Sequence, residues 1–338
     1  MSTGGPASAE GSPLGEFGRI AAYFRPLASG VPGAFGLTDD AALLDIPADR
    51  QLVVTADGMV AGIHFLPDDD PADIAHKILA VNLSDLAAKG ATPLAYSLVM
   101  ALPRNVGDDW VARFAAGLGQ AQARFHIDLL GGDSVSTHGP LSLTINALGL
   151  VPPGCMVRRS GARPGDGLFV TGTIGDAALG LGLVLGTLVA PVTSDDRTHL
   201  LARLRRPTPR VAFAAGLRTI ASAGLDVSDG LVADLRHLAQ ASDVTLRLRV
   251  ADVPLSPPAA RLIAADPTLL QTALTGGDDY EIAFTAPPGA EAAIAAAAHA
   301  AGIGVTRIGV VEAGPADIII SDADGKPLEF GVGGWRHA

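Results

Sequence analysis

Residues 71–89, PADIAHKILAVNLSDLAAK, decide how this chain folds. Apolar side chains at Ile74, Ile78, Leu79, Val81, Leu83 and Leu86 follow the spacing of one helix, long enough to cross a domain. Two polar residues interrupt the stripe. Asn82 and Asp85 stand three apart and therefore share a face. A carboxylate on the buried face of a helix is costly unless something compensates it, so Asp85 asks for a cation or a donor.

Around this helix the chain alternates between short β-rich runs and helical runs. Upstream, Glu16–Phe24 reads as a short helix and Gln51–Ala56 as a strand ending at Asp57. Downstream, Tyr96–Leu102 reads as a strand and Asp109–Phe125 as an amphipathic helix. A strand at Phe125–Leu130 then runs into Gly131-Gly132-Asp133, and Leu141–Val151 alternates as a strand before Pro152-Pro153-Gly154. Beyond that break the spacing predicts strands at Gly167–Thr171, Thr245–Val250, Tyr280–Thr285, Thr306–Val311 and Asp317–Ser321. Helices are expected at Gly175–Leu188 and Glu291–Ala301, with Pro191–Arg206 as a polar linker. Strict βαβ alternation is missing, so the expected fold class is α+β in two domains and not a Rossmann sheet. The glycines at 180, 182 and 186 miss the dinucleotide fingerprint by one residue and lie within a helix, where they serve packing. The expected division is a disordered tail over residues 1–14, an N-terminal domain over 15–151 and a C-terminal domain over 152–338.

Bulk properties narrow the chemistry. The net charge of −11 excludes an electrostatic nucleic-acid binder, which needs a basic surface. No apolar run reaches the roughly 18 residues that span a bilayer, and the start, MSTGGPASAEGSP, lacks the basic and apolar regions of a signal peptide. The single cysteine, Cys155, permits no internal disulfide and fits a cytoplasmic protein. There is no GxxxxGK[ST] loop, and lysine occurs only at 77, 89 and 326. Phosphate chemistry would have to use magnesium and arginine.

Acidic motifs beside Gly, Ser or Thr recur along the chain: Thr38-Asp39-Asp40, Thr55-Ala56-Asp57, Asn82-Leu83-Ser84-Asp85, Gly131-Gly132-Asp133, Asp226-Val227-Ser228-Asp229-Gly230 and Gly276-Gly277-Asp278-Asp279-Tyr280. Taken singly, Asp39-Asp40 and Asp57 read as turns and Asp229-Gly230 as a helix cap or turn. Taken together, gathered carboxylates need cations between them, and paired glycines let backbone amides approach a phosphate. The set points to a polynuclear magnesium site holding a polyphosphate. His64 reads as a structural histidine or as a site residue, being close in sequence to Asp57. Arg158-Arg159 reads as solvated charge or a phosphate clamp, and Trp335 as a core anchor or a stacking platform.

These motifs, with Gly15-Glu16-Phe17, Val60-Ala61-Gly62-Ile63-His64-Phe65, Ala80–Gly90, Arg159-Ser160-Gly161-Ala162 and the extension to Glu281, stand in the order and spacing of a known family. The chain resembles the thiamine-monophosphate kinases, of the aminoimidazole-ribonucleotide-synthetase-like superfamily. The resemblance implies N- and C-terminal domains of that type. The first would bind ATP and magnesium and dimerise through its sheet; the second would close over the cleft. It implies ATP and Mg2+ as co-substrate and cofactor, and thiamine monophosphate as the acceptor that becomes thiamine diphosphate. By position, Asp40, Thr55, Asp57, Asp85, Asp133, Asp226 and Asp229 would ligate magnesium. Gly132, Asp133, Arg159 and Ser228 would meet ATP; His64, Asp278 and Trp335 would meet the acceptor. Two positions depart from the family pattern: Thr38 replaces a common glycine and Ala56 a threonine. The other readings are a superfamily cyclo-ligase or hydrogenase-maturation protein, which lack the Val60–Phe65 segment, and a non-catalytic cation-binding module. The last would concentrate its carboxylates in one loop.

Overall fold

The computed structural model describes residues 14–328 and Phe330. Trp335 lies outside these residues. Asp70 opens the central helix, accepting the Ala72 N–H at 2.8 Å, and Pro71 fills the first helical position, where no N–H is needed. This helix spans Pro71–Ala88 and is buried along almost its whole length. It packs at once on the N-terminal sheet, on a second helix and on two strands of the C-terminal sheet.

The N-terminal part contains α1 (Glu16–Arg19), β1 (Gln51–Val60), α2 (Pro71–Ala88), β2 (Thr92–Pro103), α3 (Asp108–Phe125), β3 (Asp128–Thr137) and β4 (Ser142–Val151). Its sheet has the order β1-β4-β2-β3. Only β2 and β3 pair in parallel, and α3 supplies the crossover that a parallel pair requires. The core lies on one face, under α2 and α3, with Leu83, Leu86, Phe114, Leu118, Leu143 and Ile145 fully buried. The other face leaves Leu52, Val54, Val99 and Val135 36–60% exposed.

The C-terminal part contains β5 (Gly167–Thr171), α4 (Asp176–Leu185), α5 (Ser194–Arg205), α6 (Ala214–Ile220), β6 (Ala223–Val227), α7 (Leu231–Ser242), β7 (Thr245–Arg249), α8 (Pro257–Ala265), α9 (Leu269–Thr275), β8 (Glu281–Ala286), α10 (Glu291–Ala301), β9 (Val305–Glu312) and β10 (Asp317–Ser321). The sheet order is β10-β7-β9-β5-β8-β6, antiparallel except for β10 with β7. Together the two sheets give the mixed two-domain α+β architecture expected from the sequence.

Several local readings need correction. Asp57 does not end a strand: β1 continues through it to Val60. Gly131-Gly132-Asp133 is likewise inside β3 and not in a loop after it. Residues 191–206 are not a linker but contain α5, capped by the Thr193 hydroxyl on the Asp196 N–H. The first helix keeps α geometry only to Arg19 and continues as a π turn over Ile20–Phe24. Gly180 does serve packing: a Cβ there would stand 2.5 Å from the Leu200 carbonyl oxygen of α5.

Candidate active site

α2 brings the two halves together, and a cavity of about 750 Å³ opens beside it. One wall comes from β1 and the loop after it (Asp57, Met59, His64), another from α2 (Lys77, Val81, Asp85). The third comes from β6 and the loop after it (Asp226, Ser228, Asp229) and from Asp278 and Tyr280 before β8. Arg159 also lines the cavity.

The two polar insertions in α2 have separate partners. Asn82 accepts the Asp57 N–H at 3.1 Å and donates to the Ile78 carbonyl at 2.9 Å. It thus ties the edge strand β1 to the helix. Asp85 accepts the Thr55 hydroxyl at 2.5 Å and turns toward the cavity. Thr55 and Asp57 share the inward face of β1 because strand side chains alternate.

The carboxylates raise one another's proton affinity. Burial, then the charges of Asp85 and Asp229, push Asp57 from 3.8 up to about 6. Burial, then Asp85 and Asp234, hold Asp226 well above the usual carboxylate range. Asp234, at the start of α7, accepts the Ser228 and Asp229 N–H groups at 3.0 Å each and so fixes the loop that carries them. Burial and the Asp229 charge raise it to about 7. Lys89 follows the last turn of α2, one turn beyond Asp85, donating to the Gly224 carbonyl at 3.0 Å, and burial lowers its proton affinity. Hard oxygen donors in mutual repulsion are the donor set that divalent magnesium suits. Among the described residues, no three His, Cys, Asp or Glu side chains by themselves enclose a metal-sized point. The carboxylates line a cavity, as they would if each ion were shared with a phosphate.

The run Gly276–Glu281 divides its acids between two tasks. Asp278 faces the cavity: it accepts Lys77 Nζ at 2.8 Å and the Tyr280 hydroxyl at 2.9 Å. Asp279 is buried and accepts the Gly175 N–H with both oxygens, at 2.9 and 3.0 Å, just ahead of α4. Glu281 is fully buried between Arg203, at 2.9 Å, Arg210 and the Thr171 hydroxyl, at 2.7 Å.

Of the residues singled out in the sequence, the fold brings Asp57, Asp85, Asp226, Ser228, Asp229, Arg159, His64 and Asp278 to this one cavity, with Thr55 directly behind Asp85. It does not bring Asp40, Gly132 or Asp133 there. Asp40 lies in an exposed stretch whose preceding turn, Pro32–Leu37, packs on β3. Gly132 and Asp133 are exposed on β3, at the opposite edge of the sheet from β1. With strands about 4.8 Å apart, three steps put the two edges roughly 14 Å from each other. Gly132 has a local reason to be glycine: a Cβ would stand 1.8 Å from the Leu98 carbonyl oxygen of β2. Sequence reasoning missed Lys77, Lys89, Asp234 and Tyr280. The scarcity of lysine, with one of the three on this helix and another directly after it, was the available signal.

Residues 38–151 match the family of AIR synthase related proteins, N-terminal domain, and residues 163–322 the corresponding C-terminal domain. The thiamine-monophosphate kinase of Salmonella typhimurium is 42% identical over 324 residues, covering 96% of this chain and 98% of that one. The crystal structure of thiamine-monophosphate kinase from Stenotrophomonas maltophilia superposes with a TM-score of 0.79 at 41% identity, covering 86% of this chain and 91% of the other. AaThiL complexed with AMPPCP and TMP gives 0.75 at 31% identity, covering 96% and 97%. The chain belongs to the thiamine-monophosphate kinase family.

Proposed function

We propose that this protein transfers the terminal phosphoryl group of ATP to thiamine monophosphate, giving thiamine diphosphate and ADP. The observation that carries the reading is the cavity itself: carboxylates from β1, α2 and the β6–α7 loop face one space that Arg159 and Ser228 also line. Its match in sequence and fold to thiamine-monophosphate kinases, and to a protein complexed with AMPPCP and TMP, supports the choice of substrates.

Asp57, Asp85, Asp226 and Asp229 would hold Mg2+, with Thr55 behind them; bound there, the ions would neutralise the phosphates and the charge developing on the bridging oxygen. Arg159 and Ser228 serve the nucleotide. Arg159, at the exposed side of the cavity, can grip a phosphate with two parallel N–H bonds. His64 and Asp278 serve the acceptor. His64 Nδ1 accepts the Val60 N–H at 3.1 Å, which fixes the ring's orientation beside the cavity. The acceptor phosphate has a second pKa of about 6 and is already largely ionised at neutral pH. No side-chain base is needed, and direct in-line transfer without a phosphoenzyme follows. Residues 15–151 supply Thr55, Asp57 and Asp85 to the metal site, and residues 152–338 close on it with Asp226, Asp229, Arg159 and Ser228; Trp335 is assigned to the acceptor by family position. A single cysteine and a reaction that draws on ATP and magnesium fit a cytoplasmic protein. Among the described residues no helix is long and apolar enough to cross a membrane.

The protein acts as a homodimer. The exposed apolar sheet face carrying Leu52, Val54, Val99 and Val135 is the surface for a second copy. A two-fold dimer that sets the β3 edge of one copy beside the β1 edge of the other brings Asp40, Gly132 and Asp133 to the partner's cavity. Light scattering at the monomer mass of 34.2 kDa would remove this part of the reading.

Incubating the protein with ATP, MgCl2 and thiamine monophosphate, then separating the products, tests the whole. Thiamine diphosphate in equal amount to ADP is expected. Its absence counts against the reaction and in favour of a cyclo-ligase or hydrogenase-maturation chemistry, while transfer only after a phosphorylated aspartate accumulates counts against the direct route.

A further inference from the structure

We propose that Lys77 is a positioning residue for the phosphate acceptor, acting through Asp278 and His64; the inference rests on the reading of those two residues as acceptor contacts. Lys77, Val81 and Asp85 follow one another at four-residue intervals on α2 and all line the cavity. Eight residues of helix put Lys77 roughly 12 Å from Asp85. The helix thus carries an acid at the metal end of the cavity and a cation at the other.

Lys77 Nζ makes two bonds, to the His64 carbonyl oxygen at 3.1 Å and to Asp278 Oδ2 at 2.8 Å. The side chain is only 6% exposed, so this ammonium is committed to those partners and is not a mobile surface charge. The bond to Asp278 joins residues 201 apart, across the seam between the two sheets.

Asp278 needs such an anchor. Its backbone sits at φ +72° and that of Tyr280 at φ +51°, both in the left-handed region that non-glycine residues avoid. The peptide is held there by the Asp278 N–H on the Ser228 carbonyl, at 2.9 Å, and the Tyr280 N–H on the Val227 carbonyl, at 2.8 Å. The carboxylate itself is oriented by two side chains, Lys77 on one oxygen and Tyr280 on the other. Removing the ammonium frees the Asp278 carboxylate to turn about its remaining bond and takes the donor from the His64 carbonyl. Both acceptor-side groups lose the same anchor. No group assigned to the nucleotide is bonded to Lys77, so the defect is confined to one substrate.

The test compares wild type, K77M, D278A and K77M/D278A in the thiamine diphosphate assay, with KM measured separately for each substrate. K77M is expected to raise KM for thiamine monophosphate at least tenfold while KM for ATP stays within twofold. The double variant should exceed D278A by less than the factor that K77M costs alone, because the part of Lys77's effect that runs through Asp278 is already lost and only its hold on the His64 carbonyl remains. An unchanged acceptor KM in K77M, an equal rise for ATP, or effects that multiply in the double variant would overturn the inference. If K77M does not fold, Y280F takes its place, since it keeps the buried ring and removes only the hydroxyl bond to Asp278. At least a threefold rise in acceptor KM with ATP unaffected supports the positioning scheme, and no change overturns it. A wild-type protein that forms no thiamine diphosphate defeats the functional reading, and this inference with it. A wild-type protein that does, beside an unaffected K77M, defeats the inference alone.

Discussion

Asp57→Asn should make the metal-free protein more stable while abolishing its activity. The Asp57 carboxylate is pushed from 3.8 to about 6 by burial and by Asp85 and Asp229. Its folded-state pKa therefore lies above its unfolded one, and the folded protein holds the proton more tightly. Below about pH 4 the carboxyl is neutral in both states and costs nothing. As pH rises from about 4 through 6 the unfolded chain releases this proton while the folded protein must keep it or carry a crowded charge, and stability falls. At about 1.4 kcal/mol per pH unit, the displacement corresponds to about 3 kcal/mol. Water reaching the half-buried group screens part of this, leaving about 1–3 kcal/mol. Unfolding entropy of about 2.1 cal/mol/K per residue over 338 residues amounts to about 0.7 kcal/mol/K, so the melting temperature should rise by about 1.5–4 °C. The assay is thermal unfolding in EDTA at pH 8 and pH 4. The variant should gain at pH 8 and gain little at pH 4. Wild type should recover the difference at pH 8 when MgCl2 replaces EDTA. A variant less stable than wild type at pH 8, or a gap that ignores pH, would refute the idea that repulsion dominates this wall of the cavity.

Two further substitutions separate structural from chemical roles. Gly132→Ala places a Cβ against the Leu98 carbonyl and should cost about 1–3 kcal/mol of stability without any nucleotide present, measured by urea unfolding. If its stability is unchanged and only ATP affinity falls, the glycine serves the phosphate and not the strand pair. Glu281→Ala leaves Arg203 and Arg210, whose side chains are only 14% exposed, without their shared carboxylate and should destabilise by about 3–5 kcal/mol, by the same measurement. A variant with near wild-type stability would show that water reaches these guanidinium groups.

What the sequence revealed depended on range. Glu291–Ala301, Gly167–Thr171 and Asp317–Ser321 were readable to the residue, because local composition and clear flanking breaks set their ends. Strand ends at Asp57 and Asp133 were placed too early, since an acid or a glycine pair reads as a break when the sheet that tolerates it is not in view. The stretch around α5 looked like a linker because Leu200 and Leu204 alone form its buried apolar stripe, amid six charged residues. Within the cavity, the carboxylates could be named from their Gly/Ser/Thr neighbours. Lys77 and Tyr280 could not, because their value comes from Asp278, and for Lys77 that partner is distant in sequence. Nor could the sequence show that Asp40 and Asp133 sit by the sheet edge remote from Asp57, which only strand order determines.

The division of labour within Gly276–Glu281 bears on how such a protein can change its acceptor. Asp279 and Glu281 are locked into the interior, one capping the approach to α4 and the other joining two arginines, so drift at either position threatens folding first. Asp278 lies between Gly277 and Asp279 yet answers only to Lys77, Tyr280 and whatever occupies the cavity. Selection can therefore alter residue 278 together with residue 77 and leave the framework on either side intact. A new substrate preference is open at those two positions without a new fold.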